Sequence, residues 1–356
     1  MRQQDVDLVI VTRREQIQWL TGVRYREVFE PAAALDSQGH LTLVAPNREP
    51  EQAAADAVVT YEAQWTSTLR NDQREASSLA LSQALQSRPP ARRLGVEFSS
   101  FAPHLGQAIN ATARSVNADL VDIEPALYRL RRHKEPDELE LLRSAIAATG
   151  AMYHRAREIV EPGISELEVF NQLQSVAVEH LGEMLTGTGN DYQSGQRGGP
   201  PRPQRAQAGE LYILDLGPAF RGYFADNCRT LSVGKNPTDQ QLAAWEQVAR
   251  VFPLVEQRVK PGYRCQALYE EVKAALDQFM PGSFNHHLGH GIGLNPHEAP
   301  HVNPRWDDTF EVGDVFTIEP GLYAPELRAG LRLENDYLVT DEGVELLSDF
   351  PLSYVA

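Results

Sequence analysis

The stretch HHLGHGIGLNPHE, residues 286–298, constrains this chain more than any other. The chain has 10 histidines, and His286, His287, His290, His297 and His301 all lie between positions 286 and 301. Gly289, Gly291 and Gly293 punctuate the run. Glycine lets backbone come close to whatever the imidazoles serve. Neutral imidazole is the commonest metal ligand, and it titrates near physiological pH. The segment is therefore a metal site or an acid/base site, and carboxylates elsewhere must decide which.

Three other segments supply carboxylates in apolar settings. In LDLGPAFRGYFADNC, residues 214–228, Asp215 follows the apolar run Leu211-Tyr212-Ile213-Leu214, which reads as a buried strand. Gly217-Pro218 and Arg221-Gly222 are turn signals before a second strand, Tyr223 to Val233. Folding this hairpin between Phe220 and Arg221 sets Asp215 opposite Asp226. Two carboxylates so paired repel, and one pKa rises, unless a cation lies between them. In VFTIEPGLY, residues 315–323, Glu319 ends a β-branched run before Pro-Gly, which places it at a strand end. In LRLENDYLVT, residues 331–340, Glu334 is embedded among Leu331, Leu333, Leu338 and Val339. An acid in such a run is rarely buried unless paired. Two Asp, one His and two Glu make an oxygen-rich set without thiolate, which suits Mn(II) and also admits Co(II) or Zn(II). Four carboxylates carry charge enough for two divalent ions. Such a pair makes a hydrolytic site by lowering the pKa of a shared water and stabilising the oxyanion.

At these residues the chain resembles the pita-bread metallopeptidases, the family of methionine aminopeptidase, aminopeptidase P, prolidase and creatinase. Asp215, Asp226, His290, Glu319 and Glu334 match that family's metal ligands in order. The resemblance implies that Asp226 and Glu334 bridge two ions, that Asp215 completes one site, and that His290 with Glu319 completes the other. It also makes Glu319 the proton shuttle. His286, four before His290, and His297, seven after it, match the Xaa-Pro branch, where such histidines contact substrate and stabilise the tetrahedral intermediate. Arg332 matches the arginine of the RxE motif and would steady the site or hold a substrate carboxylate. Tyr323 matches a tyrosine hydrogen-bonded into the site. His287 and His301 have no counterpart and read as structural. Prolidases and aminopeptidases P carry a further histidine in the loop before the first Asp, yet no histidine lies between His180 and His286. That loop is TGTGNDYQSGQRGGPPRPQR, residues 186–205, whose Gly and Pro content predicts mobility. It reads as a cap in which Arg197, Arg202 or Arg205 offers positive charge to a substrate carboxylate.

The 356 residues suffice for two domains. A formal net charge of −16 argues against nucleic acid as a partner. Cys228 and Cys265 are too few and too far apart for a disulfide framework, and Cys228 reads as a packing thiol beside Asp226. The first residues lack a signal-peptide core, and no run is long and apolar enough to span a membrane, so a cytoplasmic location is expected. Strands are expected at 7–12, 41–45, 57–61, 94–98 and 120–123, with helices at about 13–19 and 75–86. This reads as a small N-terminal α/β domain over residues 1–125. In RLRRHKEPDELELLRSA, residues 129–145, a basic run yields to Glu-Pro-Asp-Glu, a helix start. A helix to about Val160, another from a Ser165 capping box, and helices at 239–258 and 266–279 make an α+β catalytic domain over 126–356. By resemblance these are a creatinase-N-like domain and a pita-bread domain with pseudo-twofold halves, in a homodimer where the N-terminal domain can lend residues, Trp19 and Tyr25 among the candidates, to the neighbour's active site. The implied activity is hydrolysis of Xaa-Pro bonds in short proline-containing peptides, with a prolidase-like dipeptidase favoured over aminopeptidase P. A creatinase-type or other non-peptidase hydrolase, or a metal-free binding homologue, is the rival; five intact ligands argue against each.

Overall fold

The computed structural model describes residues 1, 4–112, 118–189 and 191–352, with only the backbone for 110–112. The chain divides into two units, Met1–Arg131 and Arg132–Ala356.

In the first unit, the described residues form a six-stranded mixed sheet and a small ribbon of Gln64–Trp65 with Thr68–Leu69, with helices Arg14–Thr21, Gln73–Leu85, Pro103–Thr112 and, running to its end, Glu124–Arg132. The strand order is Ala57–Tyr61, Leu41–Pro46, Ala32–Asp36, Leu8–Val11, Arg93–Val96, Asp119–Asp122. Leu8–Val11 pairs antiparallel with Ala32–Asp36 and parallel with Arg93–Val96. The strand at 32–36 and the helix at 103–112 were not foreseen. Alanine-rich AAALD is a weak strand former alone. Here ladders on both sides satisfy its backbone, and Ala33 is fully buried.

The second unit opens with two helices. Pro136–Ile159 starts at a capping box, in which the Glu135 N–H donates to Glu138 at 3.0 Å. It ends before Pro162. Glu166–Leu181 is capped by Ser165, which accepts from the Glu168 N–H at 3.1 Å, and ends on left-handed Gly182. These helices cover one face of a sheet ordered Asn227–Ser232, Leu211–Leu216, Asp191–Ser194. Helices Asp239–Ala249, Val251–Arg258 and Cys265–Phe279 cover a second sheet, ordered Glu298–Val302, Gly289–Gly291, Val315–Ile318, Asn335–Val339, Val344–Leu346. The helix expected over 239–258 is broken at Arg250, because Pro253 has no N–H to return to the Ala249 carbonyl.

Strand periodicity decides which side chains face the helices. Tyr212, Leu214, Leu216 and Leu231 pack with Met152, Val169 and Leu173 of the first helix pair. Phe316, Ile318, Tyr337 and Val339 pack with Val248, Phe252 and Leu268. The alternate residues point the other way, and they include Asp215, Cys228, Thr230, Thr317 and Asp336. The two sheets meet on that side. The Glu334 N–H donates to the Cys228 carbonyl at 2.9 Å, and the Arg332 N–H donates to Thr230 Oγ1 at 3.0 Å.

The hairpin register differs from the expected one. Asp215 pairs with Cys228 and Leu216 with Asn227, while the tip continues as Ala219 with Phe224 and Phe220 with Tyr223. The turn is therefore centred on Arg221-Gly222, both with positive φ. This moves Asp226 two residues along from the expected position opposite Asp215. A slip of two keeps the face, whereas a slip of one would have turned Asp226 away. Asp215 and Asp226 thus remain diagonal neighbours.

Candidate active site and metal centre

Asp226, His290 and Glu334 each bring a ligand atom to within 4.8 Å of the others. His290 lies mid-strand between Gly289 and Gly291, and a Cβ at either glycine would run into a backbone carbonyl, of Thr317 or of Ala299. Those glycines let the neighbouring strands close on the histidine. His290 Nδ1 lies 3.1 Å from the Gly291 carbonyl. Its Nε2 faces Asp226 Oδ2 at 3.7 Å and Glu319 Oε1 at 3.5 Å. Glu319 follows Val315–Ile318, as expected of a strand end, and its N–H donates to the Leu288 carbonyl at 2.7 Å. Glu334 is not inside a strand but in the gap between Leu331–Arg332 and Asn335–Val339.

The other predicted residues line the same space. The exposed His297 ring stacks on His290 at 3.7 Å and 19°. His286 Nδ1 lies 3.8 Å from Glu319 Oε2, and its ring meets Tyr323 edge-on at 5.4 Å. Arg332 Nη1 donates to the Tyr323 hydroxyl at 3.1 Å. Its Nη2 donates to Asp215 Oδ2 at 2.6 Å and to Asp191 Oδ2. Arg332 is thus engaged with two carboxylates of its own chain, which favours the steadying role over reception of a substrate carboxylate. Asp215, held this way, stands apart from the converging ligand sets among the described residues.

Burial pushes the Asp226 and Glu334 carboxyls well above the usual range, and the neighbouring carboxylates add to it. Burial also raises Asp215, against the opposing charge of Arg332. A hydrogen bond between Asp215 and Asp226 raises Asp226 and lowers Asp215, as when the proton sits on Asp226. Burial alone would raise Glu319. The hydrogen bond from His287 and the charges of His287, His290 and His286 outweigh it and hold Glu319 at about 2. Burial lowers His286 to about 4 and His290 to about 3, so both rings are neutral near pH 7. Burial raises the Tyr323 hydroxyl to about 12.

Four residues here escaped the sequence reading. His287, read as structural, sits with Nε2 2.6 Å from Glu319 Oε1. Asp191, inside the segment read as a mobile loop, lies in strand Asp191–Ser194 and pairs with Asp215. Asp336 is fully buried on the site side, and it accepts from the Asp226 N–H at 3.4 Å. The period-two relation of Glu334 and Asp336 was a usable signal. Arg229 is buried and donates to the carbonyls of Cys228 (2.9 Å) and Glu334 (2.5 Å), which ties the ligand-bearing segments together. Cys228 is a buried free thiol, pushed well up by burial. His301 is engaged by Asp308 at 2.8 Å.

The donor set fits divalent cations. Neutral imidazole and carboxylate oxygens converge in a buried pocket, and the carboxylates raise one another's pKa, as an unneutralised cluster does. Among the described residues, Glu334 Oε2 and His286 Nε2 are buried without a hydrogen-bond partner, which is costly unless something else is bound there.

The profile of metallopeptidase family M24 matches residues 140–341, and that of the Creatinase/Prolidase N-terminal domain matches residues 1–133. The uncharacterized peptidase YqhT of Bacillus subtilis is 30% identical over 268 residues, 73% of this chain and 74% of the relative. The prolidase of Pyrococcus horikoshii superposes with a TM-score of 0.81 at 22% identity, covering 99% of this chain and 96% of that one. The X-Pro aminopeptidase of Thermotoga maritima gives 0.83 at 19% identity, covering 99% and 98%. The fold is therefore the expected one, a creatinase-N-like domain followed in the chain by a pita-bread α+β domain.

Proposed function

Because the chain belongs to metallopeptidase family M24, we propose that it hydrolyses Xaa-Pro bonds in short peptides at a two-metal centre, as a prolidase-like dipeptidase. The observation that carries this reading is the convergence of Asp226, His290 and Glu334 beside Glu319 in one buried pocket. Asp215, Asp226, His290, Glu319 and Glu334 would hold the ions, with Mn(II) favoured and Co(II) or Zn(II) admitted by the same donors. When bound, two such ions lower the pKa of a coordinated water and polarise the scissile carbonyl.

The remaining chemistry falls to the protein. Glu319 is ionised and adjoins His286, His287 and His290, so it takes the proton of the attacking water and passes it to the departing proline nitrogen. His287, with Nε2 2.6 Å from Glu319 Oε1, holds that carboxylate in place. His297, exposed at the mouth, donates to the oxygen on which negative charge develops. His286 contacts the substrate, and Tyr323 spans His286 and Arg332 to fix both rings and guanidinium. A cytoplasmic homodimer fits the chain's acidic charge and family; among the described residues no helix is long and apolar enough to cross a membrane.

The test is a panel of Ala-Pro, Met-Pro and Ala-Pro-Ala with metal-stripped protein refilled with Mn(II), Co(II) or Zn(II). Metal-restored cleavage of the dipeptides is expected. Cleavage of Ala-Pro-Ala alone would replace the dipeptidase reading with the aminopeptidase P reading. Cleavage of none would leave the non-peptidase and binding readings.

A further inference from the structure

The structure separates Arg197, Arg202 and Arg205, which the sequence left equivalent, from one another and from Arg332. Arg202 is locked: its Nη2 lies 2.5 Å and its Nε 2.9 Å from the fully buried Glu166 carboxylate. Arg205 donates to the Gly163 carbonyl at 2.5 Å. Arg332 is engaged by Asp191, Asp215 and Tyr323. Arg197 differs from all three. Its guanidinium carbon sits 4.2 Å from the centre of the Tyr323 ring, and among the described residues it makes no hydrogen bond or ion pair. Stacking occupies the face of a guanidinium and leaves its N–H edge free for a carboxylate fork. The ring beneath it is the one that touches His286 and Arg332.

The segment around Arg197 is fixed. The Tyr192 N–H donates to the Gly199 carbonyl at 2.8 Å, the Gly199 N–H to Asp191 Oδ1 at 2.7 Å, and Gln193 Nε2 to the Pro200 carbonyl at 2.8 Å. Gly195 and Gly199 have φ of 63° and 125°, and a Cβ at Gly198 would collide with the Asp191 carboxylate. The loop thus closes onto the same Asp191 that braces Arg332. A cation is presented at the pocket on a rigid turn, with its hydrogen-bonding edge unused.

We propose that Arg197 receives the free α-carboxylate of the substrate and so selects free-acid dipeptides over longer or amidated peptides. This rests on the Xaa-Pro reading above. A dipeptide carries its carboxylate one residue from the scissile bond, within reach of a group stacked on Tyr323. A carboxylate held equally in ground and transition states changes KM more than kcat.

The test compares kcat and KM for Ala-Pro and Ala-Pro amide in the metal-loaded wild type, Arg197→Gln, Arg197→Lys and Arg205→Gln. Wild type is expected to favour the acid. Arg197→Gln should raise KM for the acid about 10- to 100-fold, with kcat and the amide kinetics nearly unchanged. Arg197→Lys should restore part of the loss, and Arg205→Gln should behave as wild type. An acid-to-amide ratio that Arg197→Gln leaves unchanged overturns the assignment, as does an equal loss on both substrates. Absence of turnover of either substrate by wild type is a separate outcome: it rejects the Xaa-Pro reading and the assignment with it.

Discussion

Asp226→Asn should have opposite effects on the metal-free and the metal-loaded protein. Asp226 and Glu334 present carboxylate oxygens within 4.8 Å of each other. Two full charges at 4.8 Å repel by about 3.5 kcal/mol at an effective dielectric constant of ~20. The pair can escape part of this by retaining a proton, which is what the raised pKa directions of both groups express. Asparagine keeps the volume and can still donate to Asp215 while removing the charge. At pH 8 in chelator, the substitution should therefore stabilise the second unit by about 1–3 kcal/mol, or about 2–4 °C in Tm per kcal/mol. With Mn(II) at about 100 times its Kd, wild type should gain about 2.7 kcal/mol, and Asp226→Asn should gain much less. Thermal and urea unfolding of both proteins, each with and without metal, measures the crossover. If Asp226→Asn is the less stable protein in chelator, or gains as much from metal as wild type, the reasoning about a charge-strained pocket awaiting cations is refuted.

Three other expectations follow from the same geometry. Asp226, Glu334 and Asp336 all have folded pKa values above their unfolded ones, with burial the first cause. Their stabilising contribution is present below the unfolded pKa of about 4 and is lost as pH rises through the folded values, whereas His286, His290 and His297, held neutral by burial, oppose this up to their unfolded pKa of about 6.5. Above about pH 7, where the histidines no longer titrate, the metal-free protein should weaken as pH rises. Metal should flatten that slope and release protons on binding, read by calorimetry in two buffers of different ionisation enthalpy; no proton release would count against the ligand set. Arg202→Met should cost about 1–3 kcal/mol by stranding buried Glu166, and Glu166→Gln in the same chain should recover part of it; no recovery would mean the cost lies elsewhere. Gly289→Ala should cost about 1–3 kcal/mol, because its methyl meets the Thr317 carbonyl, and should reduce metal uptake through His290; unchanged uptake would show that the strand tolerates the side chain.

The site was legible in sequence where chemistry and period coincide. Glycine-flanked His290, Glu319 before Pro-Gly, and Asp215 at the end of an apolar strand are local signals; the structure brings His290 and Glu319 together, while Asp215 is held by Arg332. The hairpin register was not legible, because turn centre depends on which pair of residues tolerates positive φ, here Arg221-Gly222. Asp191 and His287 were missed for a related reason. Their partners, Arg332 and Glu319, are distant in sequence, and no local pattern shows that a strand hides at 191–194 inside a Gly- and Pro-rich stretch. Pairing with Leu211–Leu216 makes that strand. The strand at 32–36 and the break at Arg250 follow the same division: tertiary pairing overrode alanine's weak preference, while Pro253 was a local signal that helical periodicity masked.

The most direct measurement is the rate of Ala-Pro hydrolysis as Mn(II) is added stepwise to metal-stripped protein. No turnover is expected in chelator, followed by a rise with added metal and a plateau near two equivalents per chain, with the rise abolished by Asp226→Asn. Turnover that survives chelator, or that Asp226→Asn leaves intact, would contradict a two-metal hydrolytic centre built on these carboxylates.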